Sequence, residues 1–116
     1  MTSSDIFHEP TIRELTETMP ADLMLSILET YQMEATSDLA KLRDALKADD
    51  GKAARERSHR IKSASLTFGA AGVARLAAEA EDLSRQGHHA ASAPLLDPMA
   101  AAIQAFVDAL TARLGG

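Results

Sequence analysis

The sequence predicts an all-α fold, an up-down-up-down antiparallel four-helix bundle with a short extra helix at its N-terminal end. Three observations lead there. Apolar residues recur at steps of three and four along the chain, and no segment alternates as a strand does. Aromatic residues make up only 3%, so the core must come from Leu, Ile, Met and Ala, which suits closely packed helices. Breaks at Asp49-Asp50-Gly51, Gly69 and Gly87 divide the pattern into amphipathic segments. An antiparallel bundle is the simplest way to bury four such stripes. With 116 residues, one modest core and no linker, repeat or low-complexity tail, 1–116 reads as a single domain.

The elements follow in chain order. A short helix covers part of 9–18, with Ile12, Leu15 and Met19 on one side. Pro20 is placed in the first turn of a long helix running to about Lys47. Its stripe is Met24, Leu28, Tyr31, Ala35, Leu39, Leu42 and Leu46. Asp49-Asp50-Gly51 ends it and supplies an N-cap carboxylate for the next helix, about 51–67. There Ala54, Ile61, Ala64, Ser65 and Phe68 share one side, and Lys52, Arg55, His59, Lys62, Ser63 and Leu66 the other. Arg57 falls on the apolar side, where only a snorkelling stem accounts for it. Gly69 is a C′ glycine. A helix over about 71–86 carries Val73, Leu76, Ala80 and Leu83, and Gly87-His88-His89 is a connection. The last helix carries Leu96, Met99, Ile103, Phe106, Leu110 and Leu114. Either Pro94 opens it or Asp97-Pro98 are its N-cap and N1.

Composition excludes several functions. Cysteine is absent, which removes disulfides and thiolate metal sites. The N-terminus lacks the basic and apolar regions of a signal peptide. No apolar stretch approaches the roughly 20 residues that cross a bilayer. The expectation is a cytoplasmic protein with no membrane partner. The net charge is −5, but residues 51–62 hold five basic side chains and one acidic, a local +4. A positive patch on an acidic chain favours an anionic ligand or an acidic partner. It does not suit nucleic-acid binding, which calls for a basic domain with more aromatic residues.

The positive segment carries the chemistry. His59 and Lys62 lie three residues apart, on one face of a helix. At neutral pH an exposed imidazole is in good part neutral and nucleophilic. It attacks phosphorus through one ring nitrogen while the other holds the proton. Lys62, one turn on, can pair with phosphoryl oxygens, and Arg55, one turn back, can assist. Lys52 adds charge to that face and Leu66 an apolar contact for a partner. Taken alone, a histidine beside a lysine is usually an ordinary solvated pair. Elsewhere the candidates are weaker. His88 and His89 are adjacent and lack a complete metal-ligand set, and His8 has no assigned role. Met19, Met24, Met33 and Met99 read as core, and Glu79, Glu81 and Asp82 as a solvated acidic cluster. No Gly-rich phosphate loop or Ser/His/Asp set is present.

His59-Arg60-Ile61-Lys62-Ser63-Ala64-Ser65, followed by Gly69-Ala70, Leu76 and Leu83, resembles the signature of histidine-containing phosphotransfer (HPt) domains. That pattern is a His, an apolar residue two on, a Lys three on, small residues, and a Gly ten positions after the His; all are present here. The resemblance covers most of the chain. It implies a helical-bundle phosphorelay intermediate, with His59 as phospho-acceptor and Lys62 as phosphoryl charge partner. Such a protein accepts a phosphoryl group from a receiver-domain aspartyl phosphate and passes it to another receiver. It has no kinase activity of its own. The implied partners are response-regulator receiver domains and a hybrid histidine kinase. The chain needs no cofactor, since the Mg²⁺ belongs to the receiver, and a bundle that buries all its stripes is expected to be a monomer. Two departures stand out. Ser63 replaces the usual Gly after the Lys, where its hydroxyl can contact the phosphoryl group or narrow the approach. Glu81, twenty-two residues after His59, occupies the position of a polar side chain near the His, where it either orients the imidazole or is simply solvated. The alternative is a bundle that binds a receiver or another acidic partner without transfer.

Overall fold

The computed structural model describes residues 3–115. These form α1 (Ser3–Ile6), α2 (Glu9–Thr18), α3 (Ala21–Lys47), α4 (Gly51–Phe68), α5 (Ala71–Arg85), a 3₁₀ helix (His89–Leu95) and α6 (Leu96–Arg113). Among the described residues there is no β-sheet, only an isolated bridge between Phe7 and Ala70. The fold is an all-helical bundle. Its N-terminal segment carries two short helices where one is expected.

Helix α3, 27 residues long, spans about 40 Å at a rise of about 1.5 Å per residue and sets the 42 Å long axis of the molecule. Met24, Leu28, Tyr31, Ala35, Leu39 and Leu42 are buried along it, as their spacing predicts. Leu46 is only partly buried, and Ala45 closes the stripe instead. Pro20 precedes the helix rather than entering its first turn: its backbone is extended (ψ 154°) and it serves as N-cap. Either place suits a residue without an N–H. Met33, expected in the core, is 73% exposed because it falls between the buried Leu28, Tyr31 and Ala35 positions.

Two punctuation marks fix α4. The Asp50 carboxylate accepts from the Ala53 N–H at 3.0 Å, capping its first turn. At the other end Gly69 adopts φ 74°, and the Ala70 N–H returns to the Ser65 carbonyl at 2.8 Å. A side chain at Gly69 would also place a Cβ 3.0 Å from Ile12 Cδ1. Helix α4 makes its most extensive contact with α5. Small residues are buried on both helices: Ala54, Ser58 and Ser65 on α4, Ala77, Ala80 and Ser84 on α5. The backbones therefore approach closely.

The segment after Gly87 is not a bare connection. It winds as a 3₁₀ helix through Pro94 and runs directly into α6 at Leu96. Asp97 and Pro98 are thus not N-cap and N1. Pro98 lies in the first turn, where a helix has no internal acceptor for an N–H. His89–Arg113 is long and apolar enough to span a bilayer by length and composition, with a mean hydropathy of 1.3 over its most apolar 18 residues. Here, however, its Leu96, Met99, Ile103, Phe106 and Leu110 are buried in the bundle core.

Candidate functional site

The site is built on the exposed face of α4. Ser58, Ile61 and Ser65 point into the bundle and are fully buried. Helical phase then turns His59, Ser63 and Leu66 outward, and the His59 side chain is 58% exposed. Lys62 is half-buried at the edge of the same face.

Helix α5 completes the constellation with Glu81, whose side chain is only 9% exposed. Its Oε2 accepts a hydrogen bond from His59 Nδ1 at 2.7 Å, and its Oε1 accepts one from Lys62 Nζ. Glu81 is therefore not part of a solvated acidic cluster; Glu79 and Asp82 are exposed on either side of it. Burial pushes its carboxyl pKa up, but the hydrogen bonds and charges of Lys62 and His59 outweigh that and hold it below the usual glutamate value. An ionised carboxylate has no proton to donate, so His59 Nδ1 carries one. The lone pair is thereby left on Nε2, on the solvent side. The Ser63 hydroxyl approaches Nε2 at 3.4 Å, a weak contact.

Two grooves flank the face. One, of about 610 Å³, is lined by Lys52, Arg55, Glu56, His59, Arg60 and Glu81. The other, of about 440 Å³, lies beyond Lys62 and is mostly apolar, with Leu66 and Ala74 in its wall and His8 and Arg75 at its rim. Leu66 is 60% exposed. The structure thus joins His59 and Lys62 through Glu81, with Ser63 against His59. It places Lys52 and Arg55 beside His59, and Leu66 beyond Lys62.

Arg57 needs no snorkelling. Its Nη1 donates to Asp38 Oδ1 at 3.1 Å, and Arg60 Nε donates to the same oxygen at 3.2 Å. Asp38 is buried on α3. Sequence reasoning missed this cluster, although a charge in the apolar stripe of each of two helices signals an ion pair between them. The other histidines have separate roles. His89 Nε2 meets Asp49 Oδ1 at 2.6 Å, and His8 Nδ1 meets Thr11 Oγ1 at 2.7 Å. Among the described residues no group of three or more His, Asp or Glu side chains converges on a metal-sized point.

Comparison with known proteins gives the family and the fold. The family model of the Hpt domain matches residues 26–113. The fold is similar to the crystal structure of histidine-containing phosphotransfer protein B (HptB) from Pseudomonas aeruginosa PAO1, with a TM-score of 0.84 over 94% of each chain at 24% identity. A search of curated proteins finds no match. With a family match over most of its length, the chain belongs to the Hpt domain family.

Proposed function

We propose that the protein is a phosphorelay intermediate acting in the cytoplasm between receiver domains. The observation that carries this reading is the His59–Glu81 pair. It fixes the proton on Nδ1 and leaves Nε2 as an exposed nucleophile. A phosphorylated receiver, with its own Mg²⁺, docks over the α4 face. The Nε2 lone pair forms the N–P bond as the bond from phosphorus to the aspartyl oxygen breaks, and the receiver carboxylate leaves. The ring keeps its Nδ1 proton, so phosphohistidine carries a positive charge on the imidazole, and Glu81 offsets it. Lys62, adjacent through Glu81, turns its ammonium towards the phosphoryl oxygens. Transfer to a second receiver reverses these steps. Positioning and charge neutralisation suffice for such chemistry. Activation of ATP is not expected of this site, which offers no phosphate-binding loop.

Labelling with phosphorylated receivers from the source organism tests the reading. Wild type is expected to take acid-labile, alkali-stable label, and His59→Gln none, with helicity unchanged because His59 is exposed. Label on the glutamine variant at the wild-type level would end the proposal. The non-transferring alternative draws on Ser63, whose hydroxyl stands against Nε2. If Ser63 only crowds the nucleophile, Ser63→Gly transfers at least as fast as wild type. A slower glycine variant assigns the hydroxyl a supporting contact with the phosphoryl group.

A further inference from the structure

The positive rim around His59 is not uniform. Lys52 and Arg55 are exposed side chains on α4, whereas Arg60 is held. Its Nε donates to Asp38 Oδ1 at 3.2 Å and Oδ2 at 3.4 Å. The Asp38 side chain is 9% exposed and that of Arg60 60%. A buried carboxylate needs a charged partner, and Arg57, less exposed than Arg60, already provides one from the same helix. Arg60 commits only its Nε. Its two terminal amino groups make no hydrogen bond among the described residues. They stand where Arg60 forms a wall common to two depressions. One is the His59 groove; the other, of about 300 Å³ on the α3 side, contains the exposed Met33 and Lys41.

An arginine anchored through Nε has already lost much of the rotamer freedom that a long side chain gives up on binding. Its fork is preorganised to receive a carboxylate. We infer that Arg60, posed by Asp38, is a partner-selecting contact that engages an acidic side chain on the rim of the docked receiver. Met33 supplies the apolar contact beside it. This rests on the relay reading above. Charge favours that occupant: Lys52, Arg55 and Arg60 share the His59 groove with Glu56 and Glu81, in a segment of net +4 within a chain of net −5. Asp38 is a positioning residue; it touches no reacting atom.

The test is single-turnover transfer from phosphorylated receivers of the source organism, measured against receiver concentration at low and high salt. Arg60→Ala is expected to raise the half-saturating concentration about threefold to fivefold, to leave the saturated rate alone, and to flatten the salt dependence. A merely structural role would move none of these in a folded protein. Arg60→Lys keeps the charge but lacks the fork that holds Asp38 through Nε while the terminal amino groups face outward, so it is expected to remain near the alanine variant. Unchanged half-saturation in Arg60→Ala overturns the contact. Full rescue by lysine overturns the positioning by Asp38. Wild type that takes no label from any receiver removes the relay reading and this proposal with it, whereas labelled wild type with indistinguishable variants removes the proposal alone.

Discussion

Glu81 uses both carboxylate oxygens, one on His59 and one on Lys62. The first of these contacts carries a prediction. Phosphorylation at Nε2 leaves a positive imidazole facing a carboxylate that its cationic neighbours, against its burial, keep ionised. A hydrogen bond to a charged group is worth about 1 kcal/mol more than one between neutral groups. Glu81→Gln keeps an acceptor for the Nδ1 proton and removes only the charge. Made in a Lys62→Ala background, so that a released lysine does not contribute, it should shift the receiver–His59 phosphoryl equilibrium about fivefold towards the receiver. An equilibrium equal to that of Lys62→Ala alone would remove charge compensation from the account. The position of Glu81 was only half legible. The family resemblance points to it, but the stripe read from the sequence, Val73, Leu76, Ala80 and Leu83, passes it by, and the buried line of Val73, Ala77 and Glu81 emerges only in the structure. What composition suggests, a solvated run of Glu79, Glu81 and Asp82, fails because adjacent charges on a helix face different ways.

Helix α4 carries His59, and its ends were readable because they rest on local chemistry. Asp50 caps one end and Gly69 turns the other, each through bonds to nearby backbone. Asp50→Ala is expected to cost about 1 kcal/mol and to lower the unfolding midpoint by about 4 °C. The fully folded variant should still label on His59. A midpoint within about 1 °C of wild type would show that tertiary packing alone fixes the start of α4. Elements set by distant contacts were less legible. The 3₁₀ helix after Gly87 has weak periodicity of its own; it is held where His89 meets Asp49 and the ring lies within 3.4 Å of a Cβ position on Gly51. Likewise the burial of Arg57 makes sense only once α3 brings Asp38 opposite it. Single-helix periodicity does not contain such pairings.

Across the whole molecule the four aromatic rings are concentrated rather than scattered. Phe7, Phe106, Tyr31 and Phe68 form a chain of edge-on contacts with centroids 5.4–5.8 Å apart. They tie the N-terminal segment to α6, α3 and α4, and the buried Tyr31 hydroxyl meets Ser65 Oγ at 2.7 Å. Burial raises the pKa of that phenol to about 12, with Ser65 opposing the shift, so it remains a neutral core group. The α4–α5 seam under the site contains none of these rings except Phe68 at its very end; it is packed by Ala and Ser. Stability and chemistry thus draw on different contacts. Phe106→Ala, which empties the centre of the aromatic chain, is expected to cost about 3–5 kcal/mol, against a total of about 5–15 kcal/mol for a typical domain. Its denaturation midpoint should fall steeply. At low temperature, where circular dichroism shows wild-type helicity, its saturated labelling rate should nevertheless match wild type, because the His59–Glu81–Lys62 geometry is fixed by the small-residue seam. Loss of labelling in a variant that retains full helicity would mean that the aromatic cluster sets the α4–α5 spacing after all.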